Sequence, residues 1–138
     1  MVTTGSGRKE EEGNGTIDIL LADDDEAFRR SFRRNILREY SVTEAADADG
    51  LVEEAGRRRY ALIITDNRME DGHEDSGIYA IREIRRFDAV TPIILQSASV
   101  DGRLRQRAID AGANAVLSKI SAGIAEYRRI IEEYTRKR

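Results

Sequence analysis

Cysteine is absent from the 138 residues of this chain, which excludes disulfides, thiolate metal sites and cysteine nucleophiles together. No apolar run approaches the roughly 20 residues that a membrane-spanning helix needs, and residues 1–15 lack the apolar core of a secretory signal. The chain also lacks an excess of positive charge, since 23 basic side chains stand against 26 acidic ones. Nucleic acid and membrane surfaces are therefore poor candidate partners, because both favour a basic face.

Lysine is scarce as well. Lys9, Lys119 and Lys137 are the only lysines, and the remaining basic residues are arginines. Charged residues nevertheless make up 36% of the chain, compared with about 25% in ordinary domains. Whether these charges form a solvated surface or a site depends on where they lie along the chain.

The length favours a single domain, at about 100–200 residues per domain. Residues 1–15 contain glycine, charged and small polar side chains without any apolar periodicity. Such a segment cannot bury enough apolar area to offset its ordering entropy, so we expect a disordered arm there and one folded domain over residues 16–138.

Five short apolar runs alternate with longer amphipathic stretches. The runs cover residues 17–22, 40–45, 61–65, 92–95 and 115–117. The third and fourth are apolar almost throughout, which is typical of central parallel strands, whereas the second alternates and predicts an edge strand. Apolar stripes at helical spacing predict five helices, with stripes that begin at Phe28, Leu51, Ile78, Leu104 and Ile124. The alternation predicts an α/β domain with a doubly wound, five-stranded parallel sheet, five helices and right-handed crossovers.

Reactive side chains follow four of the five predicted strands. Asp23 and Asp24 come after the first, Asp66 after the third, Ser97 after the fourth and Lys119 after the fifth. Because the carboxyl ends of parallel strands meet at one edge of the sheet, these residues are expected to converge on one site.

The residue types at this edge suit phosphoryl transfer. Clustered carboxylates repel each other unless a cation joins them, and a set of oxygen ligands without sulfur or imidazole suits Mg²⁺. A lysine supplies a positive charge for a phosphoryl oxygen. A carboxylate can itself be the nucleophile and form an acyl phosphate.

In these residues the chain resembles the receiver domain of two-component response regulators, of the chemotaxis-regulator type. The segments that carry the resemblance are Asp23 and Asp24 after ILLA, ALIITDNRM around Asp66, PIILQSA around Ser97, and AGANAVLSK, which ends at Lys119. They span the chain from about residue 16 to its C-terminus. The resemblance implies a flavodoxin-like fold with strand order 2-1-3-4-5.

The resemblance also implies a set of roles at the site. Asp66 would accept a phosphoryl group from a histidine of a sensor kinase or a histidine phosphotransfer protein. Asp23, Asp24 and Asp66, with the backbone carbonyl of Arg68, would hold Mg²⁺ or Mn²⁺. The chain would then be a cytoplasmic signalling switch with an unknown output partner, and not an enzyme in its own right.

Further residues would contact or influence the phosphoryl group, according to the same resemblance. Ser97, Ala98 and Lys119 would contact the phosphoryl oxygens, with the Ser97 hydroxyl moving toward them. Arg68 and Ser99 occupy the positions that tune dephosphorylation in this family.

The chain departs from the family pattern in three places. Ile120 follows the lysine where the family usually has proline, so the bond before it is expected to be trans or strained. Val116 stands where an aromatic residue is common, which removes the usual aromatic link to the surface. The loop over residues 69–77 looks about three residues longer than usual.

Two other functions remain open at this stage. A phosphatase resembling the haloacid dehalogenase superfamily would use Asp23 and Asp25 together with Ser97 and Lys119. A degenerate receiver that is never phosphorylated would serve only as a docking module.

Several charged residues also have a purely structural interpretation. Asp25 or Glu26 is expected to cap the next helix. His73 is interpreted as part of a solvated acidic loop rather than as a metal ligand. The arginine clusters at residues 57–59, 85–86 and 103–107 are expected to form exposed helix faces.

Overall fold

The computed structural model describes residues 16–136, and the disordered arm that the sequence predicts for residues 1–15 lies outside this range. The strands are β1 (Asp18–Ala22), β2 (Ser41–Ala45), β3 (Leu62–Asp66), β4 (Ile93–Ser97) and β5 (Ala115–Ser118). The helices are α1 (Glu26–Asn35), α2 (Ala48–Arg57), α3 (Ser76–Arg85), α4 (Gly102–Ala111) and α5 (Ile124–Thr135). Over these residues, no helix has the length and apolar character needed to cross a membrane.

All five strands are parallel and lie in the order β2-β1-β3-β4-β5. The predicted fold and strand order are therefore confirmed, and β2 lies at an edge of the sheet as its alternating pattern predicts. The fully buried strands are β3 and β4, which have covered faces because helices lie on both sides of the sheet.

Two apolar layers enclose the sheet. Successive strand residues point to opposite faces, so Ile63 belongs to the layer that contains residues of α2, α3 and α4, whereas Ile64 belongs to the layer that contains residues of α1 and α5. Phe32 and Tyr127 join the second layer through an edge-to-face contact with ring centroids 5.2 Å apart. Both layers stop at the carboxyl ends of the strands, where polar residues begin.

Aspartate side chains cap the N-termini of three of the five helices. Asp25, Asp47 and Asp101 each accept a hydrogen bond from a backbone N–H in the first turn of α1, α2 and α4 respectively. The expected capping role of Asp25 is thus confirmed, since it accepts from the Phe28 N–H at 3.1 Å. These caps satisfy donors that the helix itself leaves without partners.

At the amino end of the sheet, polar groups complete the packing of the α3–β4 turn. Asp88 is buried and accepts hydrogen bonds from the N–H groups of Val90 and Thr91, each at 3.0 Å, and from the Thr91 hydroxyl at 2.6 Å. The Arg85 guanidinium donates to the Gly112 carbonyl at 2.9 and 3.0 Å. The expectation of an exposed helix face is therefore wrong for Arg85, because its side chain is partly buried and bonds to the Gly112 carbonyl.

Candidate functional site at the carboxyl end of the sheet

Two buried carboxylates lie side by side where β1 and β3 end. Asp66 is the last residue of β3, and Asp23 directly follows β1, the neighbouring strand. Asp24 is the exposed third member, and carboxylate oxygens of the three residues lie within 4.8 Å of one another. The sequence prediction placed these residues at one edge, and the structure brings them together there.

Lys119 reaches this carboxylate pair from the end of β5. Its backbone N–H donates to the Ser97 carbonyl at 2.9 Å, which fixes its position beside β4. Its Nζ lies 2.7 Å from Asp23 Oδ2 and 3.0 Å from Asp66 Oδ1. The same ammonium lies over the Phe28 ring, 4.1 Å from its centroid. The lysine is therefore held by two opposite charges and an aromatic face.

The charges at the site shift two pKa values. Burial, together with the negative charge of Asp23, raises the pKa of Asp66 to about 6, although Lys119 opposes this shift. Burial would lower the pKa of Lys119, but its hydrogen bonds and attraction to Asp23 and Asp66 outweigh that effect and raise the pKa. The site thus disfavours the charged form of Asp66 and favours the charged form of Lys119.

The donor set at this edge fits a hard divalent cation. Asp23, Asp24 and Asp66 offer carboxylate oxygens within 4.8 Å of one another, without the imidazole or sulfur that softer metals prefer. Asp23 Oδ1 accepts the Asp25 N–H at 2.9 Å, and Asp24 Oδ2 accepts the Glu70 N–H at 3.0 Å. Both carboxylates are thereby oriented by backbone donors.

The predicted switch residues lie close to this cluster but do not all face it. Ser97 is buried at the end of β4, and its hydroxyl donates to the Ser99 carbonyl at 3.2 Å. The Ser99 N–H donates back to this hydroxyl at 3.3 Å. Ala98 and Ser99 are exposed, as is Arg68 in the loop after β3. The structure therefore brings Asp23, Asp24, Asp66 and Lys119 together, while the Ser97 hydroxyl is bonded within its own loop.

Two buried amides border Asp66, and sequence reasoning missed both. Gln96 pairs with Asp66 in the register of β3 and β4, and its Oε1 accepts the Tyr127 hydroxyl at 2.7 Å. Asn67, the next residue along the chain, donates its N–H to the Gln96 carbonyl at 3.1 Å. Within residues 16–136, the buried side-chain atoms without a hydrogen-bond partner are Asn67 Oδ1 and Gln96 Nε2. The sequence signal for Gln96 was the presence of a glutamine inside an otherwise apolar run.

The loop that precedes α3 is attached by hydrogen bonds to α2 and, through the Glu70 N–H, to Asp24. Asp71 accepts the Ala48 N–H at 2.7 Å and the Ser76 hydroxyl at 2.8 Å. His73 stacks on Tyr79 with ring centroids 3.8 Å apart, and it lies outside the carboxylate cluster. The loop is thus an ordered rim of the site.

The two other departures from the family pattern lie in and beside β5. Val116 is buried, so its small side chain packs inside the sheet layer instead of reaching the surface. Ile120 is 78% exposed, and the bond before it is trans, as are all peptide bonds in residues 16–136. Asp25, which the phosphatase alternative needs at the site, instead caps α1.

A doubly wound parallel sheet with paired carboxylates, a strand-end aspartate and a lysine defines a receiver-type domain. The response regulator receiver domain family matches residues 19–130 of this chain. The chain therefore belongs to this family.

Individual relatives agree with the family match. The KDP operon transcriptional regulatory protein KdpE from Escherichia coli K12 is 36% identical over 103 residues, which cover 74% of this chain and 44% of KdpE. A two-component response regulator of the LuxR family from Aurantimonas has a crystal structure that superposes with a TM-score of 0.78, at 29% identity, over 87% of this chain and 85% of that one. The chain spans less than half the length of the curated relatives it matches.

A third similar structure contains a phosphorylated residue. It is a response regulator from Burkholderia pseudomallei with a phosphorylated aspartic acid, a calcium ion and citrate. It has a TM-score of 0.71 and 23% identity, and the match covers 84% of this chain and 65% of that one. At this level of identity the likeness shows the shared fold.

Proposed function

We propose that this chain is a phosphoacceptor switch in which Asp66 takes a phosphoryl group from a phosphohistidine. The observation that carries the proposal is the position of Asp66, which is buried beside Asp23 and 3.0 Å from the Lys119 ammonium. A carboxylate in this setting has a nearby cation to neutralise the incoming charge and a nucleophilic oxygen to form the bond. The donor is a sensor histidine kinase or a histidine phosphotransfer protein.

The transfer exchanges one bond to phosphorus for another. A carboxylate oxygen of Asp66 forms the new bond to phosphorus as the bond to the imidazole nitrogen of the donor breaks. The imidazole nitrogen keeps the electron pair of the broken bond. Because the other ring nitrogen of the phosphohistidine carries a proton, the donor side chain leaves as neutral imidazole, while Asp66 becomes an acyl phosphate. Lys119 remains charged throughout, because its raised pKa secures the ammonium form.

The metal in this proposal is Mg²⁺, with Mn²⁺ as a substitute. Asp23, Asp24 and Asp66 would hold it together with the Arg68 carbonyl, and the oxygen-only donor set supports this assignment. When bound, the ion would neutralise charge on the phosphoryl oxygens. Asp23 would then have a second positive partner besides Lys119, and the ion would reduce the repulsion between the Asp23 and Asp66 carboxylates.

The readout proceeds through the β4–α4 loop. The Ser97 hydroxyl would leave Ser99 and donate to a phosphoryl oxygen, since the hydrogen bonds that hold it now are 3.2 and 3.3 Å long. The Ala98 N–H lies next in the chain and would supply a second donor. Movement of this loop would change the surface offered to an output partner. Arg68 and Ser99, both exposed, would tune the rate of dephosphorylation.

The experiment combines purified protein, Mg²⁺ and a small acyl phosphate such as acetyl phosphate, and follows the intact mass. We expect the wild-type chain to gain one phosphoryl group and Asp66→Asn to gain none. Asp25→Asn is the matched control, because Asp25 is close in sequence but caps α1, and it should gain the group normally.

The same experiment separates the alternatives. A wild-type chain that gains no phosphoryl mass and shows no Mg²⁺ binding by calorimetry would be a docking module. Turnover of a chromogenic phosphate ester that survives Asp66→Asn but is lost in Asp23→Asn would identify a phosphatase. In our proposal the chain assists only its own phosphorylation and dephosphorylation.

A further inference from the structure

Arg107 differs from the other arginines of α4 because it is joined to the β3–α3 loop. Its Nη2 lies 2.5 Å from Asp75 Oδ2, and Asp75 Oδ1 accepts a hydrogen bond from Asn67 Nδ2 at 3.2 Å. The hydrogen bond from Arg107 holds the pKa of Asp75 below its usual range. A continuous chain of polar contacts therefore runs from α4 to the residue beside Asp66.

Asp75 occupies the N-cap position of α3 but does not cap it. Its side chain makes no hydrogen bond to the first turn of α3, whereas the carboxylates of Asp25, Asp47 and Asp101 all cap their helices. Both of its carboxylate oxygens are directed to lateral partners instead. The contribution of Asp75 is thus to connect Arg107 with Asn67.

Asn67 is held on three sides. Its N–H donates to the Gln96 carbonyl at 3.1 Å, and its carbonyl accepts the Gly77 N–H at 3.0 Å. Its side chain is attached through Nδ2 to Asp75, while its buried Oδ1 has no partner within residues 16–136. Because a half-satisfied buried amide is costly, Asn67 depends strongly on the contact with Asp75 that remains.

Asn67 also lies between two residues to which the proposed function assigns roles. Asp66 precedes it as the phosphoacceptor, and Arg68 follows it as the residue whose carbonyl would hold Mg²⁺. A rotation about the Asn67 backbone dihedrals would displace the Arg68 carbonyl, because the rigid peptide unit between the two residues carries Arg68 with it.

We propose that Arg107 is a positioning residue for the metal site, and that it acts through Asp75 and Asn67 on the backbone between Asp66 and Arg68. This inference rests on the proposed function and adds a connection between α4 and metal affinity. By thermodynamic linkage, metal binding must in turn strengthen the attachment of α4 to the loop. The sequence alone gave no sign of this connection, since Arg107 lies in a cluster expected to be exposed.

The ion pair itself is not primarily a stabilising contact. The Arg107 side chain is 43% exposed and that of Asp75 is 18% exposed, and ion pairs of this kind contribute little to folding stability. Loss of Arg107 should therefore change metal binding more than it changes the unfolding transition. This difference distinguishes a positioning residue from a merely structural one.

The experiment measures Mg²⁺ binding to the full chain by isothermal titration calorimetry, without any phosphoryl donor. We expect Arg107→Gln to weaken Mg²⁺ binding by about 3- to 10-fold, with a urea unfolding midpoint close to that of the wild type. Arg103→Gln is the matched control, because Arg103 is an exposed arginine on the same helix, and it should bind Mg²⁺ as the wild type does.

A double-mutant cycle tests the route of the connection. If Arg107 acts through Asp75, the double variant Asp75→Asn with Arg107→Gln should lose no more Mg²⁺ affinity than Asp75→Asn alone. Amide hydrogen exchange supplies the reciprocal measurement: Mg²⁺ should slow exchange in α4 of the wild type and have a smaller effect in Arg107→Gln.

Two results would overturn the proposal. Unchanged Mg²⁺ affinity in Arg107→Gln would show that α4 does not position the site, and additive losses in the double variant would exclude the route through Asp75. A wild-type chain that binds no Mg²⁺ would instead contradict the proposed function. The two failures are thus distinguishable in one set of titrations.

Discussion

A buried aspartate lies at each end of the sheet, and its surroundings shift its pKa in opposite directions at the two ends. At the amino end, three donors from Val90 and Thr91 surround Asp88 and hold its pKa below the usual range, despite a burial effect that would raise it. At the carboxyl end, burial and the charge of Asp23 raise the pKa of Asp66 to about 6. The Asp88 carboxylate is satisfied by hydrogen bonds, whereas the charged form of the Asp66 carboxylate is disfavoured by its surroundings.

This difference indicates which end carries the chemistry. A carboxylate surrounded by donors stabilises the fold and gains nothing from a new ligand. A carboxylate beside another one gains from the arrival of a cation, because the cation offsets the repulsion between the two negative charges. The unpartnered amide atoms of Asn67 and Gln96 lie at this same end, and unsatisfied buried groups are rare enough in folded proteins to mark this end as different from the other.

Gly77 gives the largest expected effect, since it packs against the Asp66 backbone. A Cβ on Gly77 would lie 2.5 Å from the Asp66 carbonyl oxygen and 2.6 Å from Leu95 Cδ1. The carbonyl belongs to the central strand and cannot move aside. We expect Gly77→Ala to reduce the free energy of unfolding by about 3 kcal/mol, as measured by urea denaturation.

Two other glycines calibrate this prediction. At the amino end, a Cβ on Gly112 would meet the flexible side chain of Arg85, and its φ of 125° makes alanine strained; a cost of about 1–2 kcal/mol is expected for Gly112→Ala. Gly102 has nothing within 4 Å of a new Cβ, so Gly102→Ala should cost nothing. Equal effects at Gly77 and Gly102 would contradict the close packing around the strand end.

Asp88 should be the aspartate whose loss is most destabilising. Asp88→Ala leaves two backbone N–H groups and the Thr91 hydroxyl without their acceptor. Unsatisfied buried donors cost about 1–3 kcal/mol, so we expect a loss of about 2 kcal/mol in the free energy of unfolding. A thermal or urea transition unchanged from the wild type would show that water replaces the carboxylate without cost.

The fold was predictable because apolar periodicity depends on residues close together in the chain. The runs around Ile63 and Ile94 identified buried strands, and the charged residues that follow the third and fifth runs are Asp66 and Lys119. The rule that parallel strands share a carboxyl edge then assembled the site without any knowledge of distances.

The parts that could not be predicted depend on the paths of long side chains. Arg85, Arg105 and Arg107 look alike in sequence, but they bond respectively to the Gly112 carbonyl, the Val116 carbonyl and Asp75. An arginine can reach many partners from one backbone position, and the choice is made by tertiary packing. The direction of the Ser97 hydroxyl is equally hidden, because rotation about a single bond turns it toward Ser99 or toward the site.

The smallest expected effect is that of removing the Asp66 charge. This change should stabilise the fold, whereas the loss of Asp88 should destabilise it. An acid whose pKa is higher in the folded chain than in the unfolded chain, where it is about 3.9, destabilises the fold when it is charged. In metal-free buffer the contribution of Asp66 to the free energy of unfolding should therefore become more favourable as the pH falls from about 7 to about 4. Asp66→Asn removes this charge at every pH, while Lys119 keeps Asp23 as its partner.

We therefore expect Asp66→Asn to raise the free energy of unfolding by about 1–2 kcal/mol near neutral pH, and to have no effect near the lower end of this range. Asp88 has a lowered pKa, so its stabilisation is present above about pH 4 and is lost as the pH falls further. Urea denaturation of the wild type and both variants across this range measures the two signs together. If Asp66→Asn were less stable than the wild type at neutral pH, the carboxylate would be a satisfied structural group, and the contrast between the two ends of the sheet would be wrong.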